Sequence, residues 1–120
     1  LDGVRTAVKS IKTYFTDKII VISGVLKDKE YEAMADEIAT VSSEVITVTP
    51  SSPRALSADE YADVLKKKHI DAMAGGSITD AVKLALETAK KEGKSVVCLG
   101  SLYLYREILD AVNDSFNTPF

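Results

Sequence analysis

Three short runs, Ile19 to Ile22, Glu44 to Thr49 and Ser95 to Leu99, are built from β-branched and other apolar residues, and they punctuate a chain whose remaining apolar residues recur at helical spacing. No other property restricts the fold as tightly. Ile19-Ile20-Val21-Ile22 is too short for a helix and apolar at every position, so both of its faces need cover, as in a strand inside a parallel sheet. It closes at Ser23-Gly24, while the run EVITVT stops at Pro50, where a ring nitrogen can no longer donate to a ladder.

The intervening segments read as helices. Val4, Val8, Ile11 and Phe15 form one stripe with Arg5, Lys9 and Lys12 outside it, predicting a helix that ends near Thr16. Tyr31, Met34, Ala35 and Ile38 restore the same period after Asp28. Pro50 to Ala55 is a loop by its prolines and serines, and Ser57 opens the next helix with a capping box closed by Glu60, stapled by Leu56 and Tyr61. A short apolar piece, Ile70 to Ala74, leads through Gly75-Gly76 to a helix from Ser77 with Ala81, Val82, Ala85, Leu86 and Ala89 inside and Gly93 as its C-terminal cap. Tyr105, Ile108, Leu109 and Val112 mark a last helix before the polar tail.

Parallel strands need long crossovers, and right-handed helical crossovers cover the sheet they join. The expected fold is a three-layer, Rossmann-like α/β domain with a mostly parallel sheet and helices on both faces, formed as one unit by all 120 residues.

Composition narrows the function classes. An apolar content of 46% suffices for one two-sided core. With 15 Lys and Arg against 18 acids, a net charge of -3 speaks against non-specific attraction to nucleic acid or to anionic lipid. The single cysteine, Cys98, has no partner for a disulfide and reads as a small buried hydrophobe in a reducing compartment, which fits a cytoplasmic location. No apolar run nears the roughly 20 residues that span a bilayer, and no signal-like segment opens the chain.

In open parallel sheets ligands collect beyond the carboxyl ends of the strands. Leu1-Asp2-Gly3, Ser23-Gly24 and Gly100-Ser101 qualify by position. The Ser101 hydroxyl and adjacent amides can hold a carboxylate or phosphate oxygen, or Ser101 can simply cap the following helix. Ser23-Gly24 reads as structural, because Val25 and Leu26 prolong the apolar run. Asp2 stands where an acid can meet a nucleotide, though an exposed aspartate is commonly just solvated. Gly75-Gly76 lacks the Gly-Lys-Ser/Thr ending of a phosphate loop. His69 has no second histidine or cysteine to form a metal site or triad, and reads as a solvated helix end. Asp59, Glu60 and Asp63 suit a helix amino terminus. No catalytic residue and no metal ligand is assigned.

Particular strings carry a resemblance. Val97-Cys98-Leu99-Gly100-Ser101-Leu102-Tyr103-Leu104 looks like the terminal strand and loop of the folylpolyglutamate and dihydrofolate synthases, which commonly read VxGSLYL. Pro50 to Ser57 is similar to a loop of these enzymes, and Ser77 to Ala89 to the helix with their DAV-AL-A pattern. Leu1-Asp2-Gly3 resembles the start of their Asp-Gly-Ala-His-Asn-Pro-x-Gly motif, but Val4-Arg5-Thr6 follows at once, so a short histidine-bearing loop is expected to be missing between Gly3 and Val4.

The resemblance implies the carboxy-terminal domain of a Mur-ligase-type enzyme that uses ATP and Mg²⁺, both held mainly by an amino-terminal ATPase domain outside this sequence. It implies L-glutamate addition to folates through an acyl phosphate, with Asp2 facing the nucleotide and Gly100 and Ser101 helping to bind glutamate. The isolated domain is then expected to be inactive. The competing reading is a stand-alone α/β binding or regulatory module of the receiver type, which would need an acidic pair and a phosphorylatable aspartate at strand ends that here carry Ser23-Gly24, Thr49-Pro50 and Gly100-Ser101.

Overall fold

The computed structural model of the chain describes residues 2–28, 30–100 and 102–117. The elements follow in the order α1 (Asp2–Tyr14), β1 (Ile19–Gly24), α2 (Tyr31–Ala39), β2 (Ser42–Thr47), α3 (Ala58–Lys67), β3 (Ala72–Ala74), α4 (Ile78–Glu92), β4 (Val96–Gly100) and α5 (Leu102–Asn117). The four strands form one parallel sheet in the order β3-β2-β1-β4.

β1 is central, and all six of its residues are buried. Its alternate side chains feed two cores. Ile19 and Val21 join Val45 and Leu99 beneath Val4, Val8 and Ile11 of α1, Met34, Ala35 and Ile38 of α2, and Tyr61 and Leu65 of α3. Ile20 and Ile22 join Ile46 and Val48 beneath Ala81, Val82 and Ala85 of α4 and Leu104, Ile108 and Ala111 of α5. This is the expected three-layer α/β arrangement. Each fully buried isoleucine of β1 contributes about 2–3 kcal/mol by leaving water, which explains why uniform apolarity marks this strand.

Several boundaries move. α1 begins at Asp2 rather than Val4 and ends at Tyr14, although the Phe15 N–H still bonds the Ile11 carbonyl at 2.9 Å. β2 occupies Ser42–Thr47, two residues earlier than the β-branched run, because Ser42 pairs with Ile19 at the strand entrance. α5 buries Leu104, Ile108 and Ala111, while Tyr105 and Leu109 stand 66% and 41% exposed. Of the four apolar residues that mark α5, Ile108 is buried and Val112 packs against the core, so the reading holds at those two and fails at Tyr105 and Leu109.

The caps follow the sequence signals. Ser57 Oγ accepts the Glu60 N–H and Ser77 Oγ the Asp80 N–H, each at 3.1 Å. Leu56 and Tyr61 are both buried in one cluster, as a hydrophobic staple requires. Gly93 closes α4 in the left-handed region with φ 67°. α3 ends in the same way on His69, φ 63°, with the Ile70 N–H on the Leu65 carbonyl and the His69 N–H on the Lys66 carbonyl, both at 3.0 Å. That pair of bonds is a Schellman motif, and a histidine there accepts a strain of about 1 kcal/mol that glycine would avoid.

At the amino edge of the sheet, Glu44 Oε1 is buried without a hydrogen-bond partner. Burial raises the Glu44 carboxyl pKa first, then the nearby charges of Glu92 and Asp71, with Lys94 pulling the other way. A carboxyl pKa raised above its unfolded value of 4.5 stabilises the fold below that value, and this contribution is lost as pH rises through the folded value. At neutral pH ionised Glu44 is therefore a liability. Glu44→Gln is expected to raise the melting temperature at pH 7 by about 1–2 °C, with the gain vanishing near pH 4 in a melting series across pH.

Candidate functional site

The chain leaves β1 toward β2 and β3 on one side, then returns through α4 to place β4 on the other. The carboxyl ends of β1 and β4 therefore flank a topological switch point, where open α/β sheets form their ligand crevice. Both strands end there on glycine, and Gly24 pairs with Gly100.

The pairing explains the residue type. Gly100 has φ 149°, and a Cβ on it would run into the carbonyl oxygen of Gly24. A Cβ on Gly24 would lie 2.9 Å from the Val48 carbonyl oxygen, 3.0 Å from Val48 Cγ2 and 3.1 Å from Leu104 Cδ2. Two backbones thus approach closely at the floor of the crevice. The importance of Gly24 is not evident from Ser23-Gly24 alone, since it emerges only from the register with β4.

Ser23 is structural, as expected. It is fully buried, and its Oγ lies 2.9 Å from the Tyr61 hydroxyl. Burial pushes the Tyr61 pKa up, while the Ser23 hydrogen bond works against that shift. Thr47 is buried too, donating its hydroxyl to the Ala58 carbonyl at 2.7 Å, and Thr49 Oγ1 accepts the Ala58 N–H at 2.8 Å. Ser23 and Thr47 spend their hydroxyls inside the fold, and exposed Thr49 accepts the first amide of α3.

Past β1 the chain is clasped by the loop that follows β2. Leu26 bridges Ala55, the Lys27 N–H bonds the Arg54 carbonyl at 2.7 Å, and the Leu56 N–H bonds the Val25 carbonyl at 3.0 Å. Arg54 reaches Asp28 at 2.7 Å, and the Ser51 N–H reaches Glu107 Oε1 of α5 at 3.1 Å. No local pattern in the sequence indicates these contacts, because each joins residues far apart in the chain.

Gly100 therefore lies at the switch point, whereas Ser101 lies outside the described residues. Asp2 is the first residue of α1, and its side chain is likewise outside them. A four-residue link, 15–18, joins α1 to β1. Thirteen helical residues and six strand residues both span about 20 Å, so the start of α1 stands at the carboxyl edge of the sheet. Asp2 and Gly100 thus share one edge.

Other features carry no chemistry of this kind. Burial pushes the Cys98 thiol up to about 12, so it is not a reactive thiolate. His69 is exposed at the end of α3. A groove of about 300 Å³ between the ends of α1 and α2, lined by Ile11, Phe15, Lys18 and Val41 among others, lies at the opposite, amino edge. Among the described residues no group of three His, Cys, Asp or Glu side chains gathers to hold a metal ion. No described helix is long and apolar enough to cross a membrane.

Residues 1–102 match the family described as Mur ligase, glutamate ligase domain. A folylpolyglutamate synthase of Lacticaseibacillus casei is 34% identical over 106 residues, which cover 86% of this chain and 23% of that protein. Among solved structures, E. coli FolC in complex with ADP superposes with a TM-score of 0.78 at 16% identity, over 96% of this chain and 27% of that one. A bifunctional folylpolyglutamate synthase/dihydrofolate synthase with Mn, AMPPNP and L-glutamate bound gives 0.63 at 17% identity, over 96% and 26%. The chain thus spans about a quarter of the length of the proteins it resembles.

Proposed function

Because this chain belongs to the Mur ligase, glutamate ligase domain family, we propose that it is the carboxy-terminal, closing domain of a folylpolyglutamate synthase, an ATP-dependent ligase that adds L-glutamate to folates. The observation that carries this reading is the β1–β4 crevice, which puts the Gly100 end of β4 and the Asp2 end of α1 on one edge of a fold shared with FolC.

In the proposed reaction the γ-phosphoryl group of ATP passes to the γ-carboxylate of the folate, giving an acyl phosphate and ADP. The amine of glutamate then attacks the acyl carbon, the C–O bond to phosphate breaks, and phosphate leaves with the proton balance met by solvent. An acyl phosphate hydrolyses unless water is kept out, and closure of one domain on another excludes water while orienting the amine. Asp2 faces the nucleotide in this reading, and Gly100-Ser101 helps hold the incoming glutamate. ATP and Mg²⁺ are held mainly by an amino-terminal ATPase domain of the parent protein, and the enzyme works in the cytoplasm. The domain alone is inactive. α1 runs unbroken through Gly3 and Val4 in this sequence; a histidine-bearing loop between them in the parent protein would take Asp2 off the helix, and sequencing of the parent reading frame checks it directly.

The functional test uses the full-length protein with ATP, a folate and L-glutamate. Ser101→Ala is expected to raise KM for glutamate about tenfold or more, the loss of one hydrogen bond to a charged group, while leaving KM for ATP near its original value. An unchanged glutamate KM would remove Ser101 from the glutamate site. Failure of the unmodified full-length protein to ligate glutamate to any folate would remove the function itself.

A further inference from the structure

β4 ends at Gly100 and α5 begins at Leu102, so Ser101 is the one residue between strand and helix. Two kinds of contact hold the start of α5 in place. Leu104, Ile108 and Ala111 are buried in one core with Ile22 and Val48, and Leu104 Cδ2 would lie 3.1 Å from a Cβ built on Gly24. These contacts are apolar, and burial rewards area without direction. They fix how deep the helix sits more than how it is turned.

Glu107 supplies the direction. It is half-buried, three residues beyond Leu104 on the same side of the helix, and its Oε1 accepts the Ser51 N–H at 3.1 Å. Among the described residues no other side chain of α5 is hydrogen-bonded to a different element. The Arg106–Asp110 pair, 3.4 Å apart, lies within the helix and ties it to nothing else. The donor on the other side is held firmly. The Ser52 N–H bonds the Pro50 carbonyl at 2.9 Å and the Ala55 N–H bonds the Ser52 carbonyl at 3.0 Å, so the loop closes on itself in successive turns. Arg54 and Asp28 then lace it to the exit of β1. Glu107 therefore joins α5 to a braced backbone amide, and not to a loose side chain.

We propose that Glu107 is a positioning residue for the glutamate site: by holding α5 to the Ser51 amide, it sets how the Gly100-Ser101 loop is presented to the incoming glutamate. The inference rests on reading this chain as the closing domain of a folylpolyglutamate synthase, and adds to that reading a residue that acts without touching substrate. A direct electrostatic role would have the opposite sign. A carboxylate near an anionic amino acid repels it, and its removal would tighten binding.

The test is steady-state ligation by the full-length enzyme with ATP, a folate and L-glutamate. Glu107→Ala, which removes the acceptor, is expected to raise KM for glutamate about fivefold, the loss of one hydrogen bond, while KM for ATP stays near its original value. Glu107→Gln keeps a side-chain oxygen at the same reach and should return KM for glutamate to within about twofold of the original. Asp110→Ala removes a carboxylate from the same helix without cutting the link, and should also stay within about twofold. Partial unfolding lowers the active fraction, and so kcat, without moving KM. A lower kcat at unchanged KM in Glu107→Ala would therefore show a merely structural role and overturn the proposal. A lower KM in both Glu107 variants would assign simple repulsion and overturn it as well. Hydrogen exchange at the Ser51 amide reads the link itself: it should quicken about fivefold in Glu107→Ala and slow again in Glu107→Gln, and unchanged exchange would refute the link. Ligation by the unmodified enzyme with an unmoved KM in Glu107→Ala defeats only the positioning role, whereas an unmodified enzyme that ligates glutamate to no folate defeats the function on which that role rests.

Discussion

Gly100→Ala is expected to cost about 2–6 kcal/mol, a large fraction of the ordinary domain stability of about 5–15 kcal/mol. Two effects add. A φ of 149° is a backbone conformation that L side chains rarely adopt, and the new methyl would collide with the carbonyl oxygen of Gly24 on the adjacent strand. Relief would need β1 and β4 to part at the crevice, where the ladder between them ends. Gly93 provides the control, because its φ is also positive, 67°, but nothing lies within 4 Å of a Cβ built on it. Gly93→Ala should therefore cost only about 1–2 kcal/mol, the strain without the collision. Urea denaturation of both variants makes the comparison, with the change read from the midpoint at constant slope. Equal losses in the two would contradict the close approach of the β1 and β4 backbones.

The second large effect is expected at Tyr61, which is fully buried beneath the sheet with its hydroxyl on Ser23. Tyr61→Phe keeps the ring and its packing but leaves the Ser23 hydroxyl in the core without its partner. The loss should be about 1–3 kcal/mol, the cost of an orphaned buried polar group rather than the smaller net worth of a hydrogen bond. Ser23→Ala should cost a similar amount by orphaning the phenol. The double variant, apolar on both sides, should recover part of the loss, giving a coupling of about 1 kcal/mol in a double-mutant cycle. Strictly additive losses would mean that the two hydroxyls do not depend on each other.

The strands were legible because central parallel strands are apolar on both faces, and β1 obeys that rule at every position. The caps at Ser57, Ser77 and Gly93 were legible because each is a local bond between residues close in sequence. The resemblance carried by the Val97 to Leu104 string agrees with the family match and with the FolC fold. Gly24 was undervalued because its role depends on Gly100, brought beside it only after α4 has crossed the sheet. Among the residues that mark α5, Ile108 and Val112 reach the core but Tyr105 and Leu109 do not, since all four are similarly apolar and hydrophobicity alone could not tell them apart. His69 looked merely solvated, since nothing in its neighbours announces a left-handed backbone. Glu44 carried no signal either, since Glu92 and Asp71, whose charges raise its pKa, lie far from it in the chain. Asp2, at the start of α1, and Ser101 stand as proposals.

The clasp between the segment after β1 and the loop after β2 gives the domain a shut flank. Leu26, Ala55, Arg54 and Asp28 lace the protein's own chain across the ends of β1 and β2, while Glu107 ties that lacing to α5. In the proposed ligase, a domain that closes on this crevice would meet that laced flank as a wall.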